Sequence, residues 1–172
     1  MATSPTRREA IGRLLTWAFG GAAAALGLGP ALRSILGAAG LDGVREPSGD
    51  LPLGRLDDLG SEPRELWLAG EVEDGWMRRR EELGSVWAVR DGAGVKVFSS
   101  TCPHLGCAVD WDAAGERFVC PCHDSVFAPD GRVVSGPSPR PLDELPARVG
   151  AGGQVTCRWQ RFAPATPAKR VL

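Results

Sequence analysis

The chain has 172 residues, a net charge of −1, 23 glycines, 14 prolines and no tyrosine. That length fits one domain of ordinary size together with a tail or a membrane anchor. Residues 1–40 carry a charge of +3 and the remainder about −4, and an acidic domain without a basic stripe excludes nucleic-acid binding as the function.

The N-terminal segment combines a basic start with an apolar stretch. Arg7 and Arg8 stand ahead of 19 uncharged residues, 14–32, and resemble a twin-arginine export signal, although Ala10 replaces the usual large apolar residue. A helix of that length would be ~28 Å long, close to the hydrocarbon thickness of a bilayer. The sequence therefore predicts a cytoplasmic N-terminus over 1–13 and a transmembrane helix over 14–32.

Two alternatives remain open for this apolar stretch. It could be a buried core helix, although it is apolar all round and terminal. It could also belong to a signal that is cleaved near the small residues 37–39. The next segment, 33–50, has the composition of a linker, and we predict a flexible hinge that spans roughly 23 Å on average.

From residue 51 the apolar pattern changes to period two, which is typical of strands that bury one face. Hairpin turns are predicted at 92–94, 113–116 and 130–131, and a late strand carries Cys157, a free cysteine with a packing role. The charged run 78–82 is interpreted as a solvated face or a turn, and residues 141–149 could hold one short helical turn. The fold class is therefore all-β, an antiparallel sandwich or small barrel over 51–172.

The soft metal ligands of the chain gather in one window. Both histidines and four of the five cysteines lie within 22 residues, in the order Cys102, His104, Cys107, Cys120, Cys122 and His123. Four of them could build a structural zinc site, but two cysteines would then be unexplained. A mononuclear facial-triad iron would need a carboxylate. A 2Fe–2S centre, in which two histidines replace two cysteines on one iron, fits best.

The stretches "TCPHLGC" at 101–107 and "CPCHDS" at 120–125 resemble the two cluster-binding loops of Rieske iron–sulfur proteins. They are most similar to the disulfide-containing type of cytochrome bc and bf complexes. The resemblance implies a Rieske-like sandwich with a cluster-binding subdomain at about 101–142. It also implies one Rieske 2Fe–2S cluster, with Cys102 and Cys120 on the inner iron.

The remaining roles are also implied by this resemblance. His104 and His123 would bind the outer iron, and Cys107 and Cys122 would form a disulfide, which requires an oxidising compartment. "GPSPRPL" at 136–142 resembles the proline loop that covers the cluster. The residues expected beside the cofactor are Leu105, Ser125, Phe127 and Pro137.

Two positions depart from the family pattern. Asp124 replaces the usual glycine after the second histidine, and Phe127 stands where a tyrosine is usual near the cluster. A nearby carboxylate and a missing phenol both disfavour added negative charge. Both substitutions thus predict a low midpoint potential, which suits a low-potential donor such as menaquinol.

The implied function is that of the electron-transfer subunit of a quinol–cytochrome c oxidoreductase, which is not catalytic alone. His123 would meet the quinol hydroxyl and accept its proton, and the electron would pass to a c-type cytochrome. The implied partners are quinol, a cytochrome b-type subunit and a c-type cytochrome in a multi-subunit, dimeric complex. The implied location is the bacterial inner membrane, spanned once, with the cluster domain on the periplasmic side.

Alternative functions stay open at this point. The chain could be the small Rieske electron-transfer subunit of another exported oxidase, such as arsenite oxidase. A ferredoxin of a ring-hydroxylating oxygenase would be cytosolic and would generally lack the extra cysteine pair. A structural zinc domain is the alternative of a different class, and it would be colourless.

Overall fold

The computed structural model describes residues 11–12, 14–17, 21–22, 45–74 and 77–172. The described residues before 45 are helical, and no helix among the described residues is long and apolar enough to cross a membrane. Most of the predicted signal and most of the predicted transmembrane helix lie outside the described residues. The same holds for residues 33–44 of the predicted hinge.

The regular secondary structure in the rest of the described chain is almost entirely β-strand, so the predicted all-β class is confirmed. Between the first two strands lies one short helical element, a 3-10 turn over Leu56–Asp58. The described strands are β1 Asp50–Arg55, β2 Arg64–Asp74, β3 Met77–Asp91, β4 Gly94–Ser99, β5 Asp110–Asp112, β6 Arg117–Cys120, β7 Ser125–Phe127, β8 Val133–Ser135, β9 Ala147–Val149 and β10 Gln154–Arg158.

These strands form three small sheets. Their strand orders are β1-β10-β9, β2-β3-β4 and β5-β6-β7-β8. The four-stranded sheet is an antiparallel meander that lies within the predicted cluster-binding subdomain. Each predicted hairpin is present, because β3–β4, β5–β6 and β7–β8 pair across the predicted turns. Short-range alternation and turn residues were sufficient to locate them.

The described residues contain two hydrophobic clusters, and the β3–β4 hairpin contributes to both. Successive side chains of a strand point to opposite faces. Val86 and Ala88 of β3, with Val97 of β4, accordingly enter the first cluster, which also contains Cys157. The adjacent residues Trp87 and Phe98 enter the second cluster. The other members of the second cluster are Cys102, Val109, Phe118, Cys120, Phe127 and Leu142. The site loops therefore stand on a hydrophobic cluster of their own.

Cys157 has the packing role that the sequence predicts. Its side chain lies on β10 and is 1% exposed. Burial first, and the charge of Asp50 second, raise the pKa of this thiol to about 11. It therefore remains a neutral, apolar group at physiological pH.

Of two local predictions, the first was right in part and the second was wrong. The charged run 78–82 is neither a turn nor a loop but part of β3, with mostly exposed side chains, so only the solvated-face interpretation holds. Residues 141–149 contain no helical turn; their last three residues form β9, which pairs with β10. In both places the strand is specified by its pairing partner and not by its own composition.

The described end of the predicted hinge, residues 45–50, makes defined contacts. Arg45 and Glu73 exchange two backbone hydrogen bonds of 2.9 and 3.1 Å. The carboxylate of Glu46 accepts hydrogen bonds from the Trp159 indole at 3.0 Å and from Arg161 at 3.3 Å.

Candidate metal centre

The first site loop joins β4 to β5 and closes on itself through its backbone. The Cys102 amide donates to the Cys107 carbonyl at 2.7 Å, and the Gly106 amide donates to the Cys102 carbonyl at 3.0 Å. Gly106 has a φ of +83°, a left-handed conformation that glycine adopts without strain. The loop end is fixed by Trp87, whose indole N–H donates to the Val109 carbonyl at 2.8 Å.

The second site loop is the tight connection between β6 and β7. Cys120 and Ser125 are the last paired residues of the two strands, so only 121–124 form the turn. Asp124 takes a φ of +55° there. Left-handed backbone is uncommon outside glycine, although aspartate adopts it more readily than most residues. The departure from glycine at this position is therefore accommodated by the chain.

A disulfide joins the two loops. Cys107 and Cys122 are bonded, with their Cα atoms 6.6 Å apart and a sequence separation of 15. The predicted pairing is confirmed. The Cys120 sulfur lies within 4.8 Å of both disulfide sulfurs, but a disulfide leaves no thiolate to bind a metal. The bond therefore restricts the thiol donors of the window to Cys102 and Cys120.

The four predicted metal-binding side chains are divided between an inner and an outer position. Cys102 and Cys120 are free thiols with exposures of 0% and 1%. His104 is half-buried and His123 is exposed, and their ring centroids are 4.8 Å apart. The loops therefore place two free thiols in the hydrophobic cluster, and two imidazole rings next to each other, one half-buried and one exposed.

The electrostatics of the thiols follow from their burial. Burial is the main cause that raises the pKa of Cys102 to about 11, and neighbouring Cys120 raises it further. Two hydrogen bonds lower the pKa of Cys102, one from the backbone N–H of His104 and one from the Ser125 hydroxyl. The thiol is therefore neutral near pH 7, and a bound cation is needed to hold it as a thiolate.

The hydroxyl of Ser125 provides a test of whether a metal–sulfur group fits here. Ser125 is 0% exposed, and its oxygen has no nitrogen or oxygen atom as a hydrogen-bond partner among the described residues. Buried hydroxyls are nearly always paired, so this one requires an acceptor. It lies close enough to Cys102 to lower the pKa of that thiol. Two buried thiols, two imidazoles and a buried hydroxyl that acts as a donor to a thiol sulfur together fit a 2Fe–2S cluster of mixed ligation.

A third segment, the start of the proline loop, packs on the second site loop. A Cβ on Gly136 would lie 2.5 Å from the Cα of Ser125 and 2.6 Å from the carbonyl oxygen of Asp124. Backbone therefore contacts backbone here, and only glycine allows it. The other predicted cofactor contacts divide by exposure: Phe127 is fully buried, Leu105 is 56% exposed and Pro137 is exposed.

The sequence did not single out Arg140 and the C-terminal residues that it binds. Arg140, within the proline loop, forms a buried ion pair with Asp143. A charged residue between two prolines in "PRPL" was the available signal, but its C-terminal partners lie more than 20 positions away. Such distant pairing leaves no periodic pattern in the sequence.

Two disulfide-joined loops that present buried thiols and outward imidazoles on a small antiparallel sheet define an all-β metal-binding domain of mixed cysteine and histidine donors. Residues 64–146 match the Rieske 2Fe–2S domain family. The menaquinol:cytochrome c reductase iron-sulfur subunit of Geobacillus thermodenitrificans is 33% identical over 154 residues, 86% of this chain and 88% of that protein. The chain belongs to the Rieske family, and its cofactor is one 2Fe–2S cluster.

Other relatives match shorter segments. The cytochrome b6-f complex iron-sulfur subunit of Chlorobaculum tepidum is 39% identical over 39% of this chain and 37% of its own length. The chain spans 18 to 45% of the length of the first five curated relatives. The crystal structure of the plasma membrane Rieske protein PetC3 from Synechocystis PCC 6803 is 29% identical, with a TM-score of 0.45, and covers 63% of this chain and 99% of that one.

Proposed function

We propose that the chain is the iron–sulfur subunit of a quinol–cytochrome c oxidoreductase, with Cys102, Cys120, His104 and His123 as the cluster ligands. The observation that carries the proposal is the division of the six soft side chains. Two sulfurs form the disulfide, and two thiols are free and buried. Of the two imidazoles, one is half-buried and one is exposed. Relatives named menaquinol:cytochrome c reductase iron-sulfur subunit, from Geobacillus thermodenitrificans and Bacillus subtilis, support it.

The cluster, when bound, supplies one-electron redox chemistry at about −150 to +300 mV, because neutral imidazoles replace two thiolates. The protein's own residues supply binding and proton handling. His123 is exposed, so its ring nitrogen that is not a ligand can meet a quinol hydroxyl and hold the proton released there. Leu105 in the first site loop and Pro137 in the proline loop present exposed apolar surface, which suits docking against a cytochrome b-type subunit. A c-type cytochrome is the proposed electron acceptor.

The ligand set is tested by removing one thiol at a time. Cys102→Ser and Cys120→Ser should abolish cluster assembly, because each thiolate has no replacement inside the loops. Cys157→Ser is the matched control, since it removes an equally buried free thiol outside the site. Iron and labile sulfide content and the visible spectrum are measured on each purified full chain. A colourless zinc-loaded wild-type protein, or cluster loss only in Cys157→Ser, would overturn the ligand assignment.

We also propose a single-pass topology, with the signal over 1–13, the transmembrane helix over 14–32 and the hinge over 33–50. The disulfide supports export of the domain, because disulfides persist on the oxidising side of a membrane. The 19 uncharged residues support an anchor of membrane length. Alkaline extraction of membranes should leave the full chain in the pellet, and its release would contradict a retained anchor.

Menaquinol is the proposed donor, and Phe127 is the residue that supports it. Phe127 is 0% exposed and packs in the same hydrophobic cluster as Cys102 and Cys120. Its ring carries no hydroxyl to donate to a ligand sulfur, and the chain contains no tyrosine. A hydrogen bond to a charged acceptor is worth about 1.5–3 kcal/mol, of which only the part that strengthens on reduction raises the potential. The name of the Geobacillus relative agrees with this donor.

Phe127→Tyr should therefore raise the midpoint potential. If about 1 kcal/mol of the new hydrogen bond depends on reduction, the shift is roughly 40 mV for one electron. Phe118→Tyr is the control, because it adds a hydroxyl to the neighbouring ring on β6, which pairs with Phe127 across the sheet. Voltammetry at fixed pH measures the midpoint potentials of both variants. An unchanged or lower midpoint in Phe127→Tyr would remove the main support for menaquinol.

A further inference from the structure

Arg140 lies in the proline loop, and its guanidinium is buried. Its side chain is 5% exposed, and that of Asp143 is 3% exposed. Two of its nitrogens donate to the two carboxylate oxygens of Asp143, at 3.0 and 2.7 Å. Asp143 is in turn fixed to β4, because its carbonyl accepts the Ser99 amide at 2.8 Å. A buried ion pair costs desolvation and is weak evidence for a stabilising role alone.

The remaining donors of Arg140 hold the C-terminal segment 163–166. One terminal nitrogen donates to the Ala163 carbonyl at 2.9 Å. The other donates to the Thr166 carbonyl and to the Thr166 hydroxyl, the latter at 3.1 Å. The planar fork of arginine can make all these bonds at once, and lysine cannot. Arg140 therefore links the proline loop to a segment more than 20 positions away in the sequence.

The C-terminal segment then contacts the first site loop. The Ala165 amide donates to the Pro103 carbonyl at 2.9 Å. Pro103 stands between Cys102 and His104, and its side chain is fully buried. Ala165 has a φ of +57°, a strained conformation for alanine that the surrounding contacts must maintain. Ala165 lies between the two residues that Arg140 binds, Ala163 and Thr166, so these bonds hold in place the amide that reaches Pro103.

We propose that Arg140 is a positioning residue, which acts through segment 163–166 to fix the peptide between the inner and the outer ligand of the first loop. The inference rests on the ligand set proposed above. The Ala165 N–H compensates the partial negative charge of the Pro103 oxygen. Without this donor, an additional electron close by is less favourable, so the midpoint potential falls. The loop also loses one of its fixed points, so the cluster is released sooner.

The test compares full-length Arg140→Gln with the double variant Arg140→Gln/Asp143→Asn. The double variant is needed because the single one leaves a buried carboxylate without a partner, which can prevent folding. Both should show a lower midpoint potential and changed g-values in the reduced EPR spectrum. Cluster loss in air should be about fivefold faster, the factor that one typical hydrogen bond represents. The midpoint potential and the rate of cluster loss of Arg140→Lys should lie between those of the wild type and those of Arg140→Gln.

The matched control is Glu46→Gln. It weakens the contacts of Glu46 with Trp159 and Arg161, in the same C-terminal region, without touching the connection to Pro103. Its potential and g-values should equal those of the wild type. If the double variant has wild-type potential and g-values, even with lower thermal stability, the positioning role is overturned. A wild-type protein without the mixed histidine–cysteine spectrum would instead overturn the ligand set, and this inference with it.

Discussion

Cys107→Ser and Cys122→Ser should each lose the cluster in air far faster than the wild type while keeping the mixed histidine–cysteine EPR signature. Neither sulfur is available as a ligand, because the two are bonded to each other. Their bond has a sequence separation of 15, and it joins the loop between β4 and β5 to the loop between β6 and β7. In the chain-entropy model such a link is worth about 3 kcal/mol, which corresponds to a factor of about 100. Decay of the visible absorbance measures the loss.

The double variant Cys107→Ser/Cys122→Ser is the control for this result. Each single variant leaves one free thiol within 4.8 Å of Cys120, where it could replace a histidine ligand. The double variant has no such thiol, so its loss rate reports the missing link alone and should match that of the single variants. An all-thiolate spectrum in a single variant, or wild-type cluster lifetime in the double variant, would contradict the assigned roles.

The parts of this fold that short-range sequence patterns predict are the hairpins. The turns at 92–94, 113–116 and 130–131 join strands that alternate apolar and polar residues, and neighbouring strands pair without needing any distant partner. The candidate donor set is visible in the sequence for a similar reason, since six soft side chains lie within one window of 22 residues. Their spacing did not decide which sulfurs pair. The resemblance to Rieske loops supplied the 107–122 disulfide, and the structure confirms it.

The features that the sequence did not predict depend on distant partners. The composition of residues 78–82 fits a solvated face or a turn, and β3 continues through them in the β2-β3-β4 sheet. β9 is three residues long, and it is defined by pairing with β10. The hydrogen bonds of Arg140 to residues 163 and 166 also depend on partners more than 20 positions away. In each case the local residues tolerate several conformations, and tertiary contacts select one.

Gly136 shows how the proline loop constrains the second site loop. Its φ is +92°, and a Cβ there would lie 2.5 Å from the Cα of Ser125 and 2.6 Å from the oxygen of Asp124. Both atoms are backbone, so no side chain can rotate away to make room. Ser125 pairs with Cys120 across β6 and β7, and a shift of Ser125 is therefore transmitted to a proposed cluster ligand.

Gly136→Ala should consequently destabilise the domain by about 3 kcal/mol or more, from left-handed strain and steric overlap together, and should reduce cluster content. Gly92→Ala is the matched control, because Gly92 also has a positive φ, +61°, but a Cβ there meets nothing within 4 Å. The control should lose only about 1 kcal/mol, from the strain alone. Denaturant unfolding and iron content, measured on both full-length variants, separate the two contributions. Equal losses in the two variants, with full cluster content in each, would show that the proline loop does not hold the second site loop through Gly136.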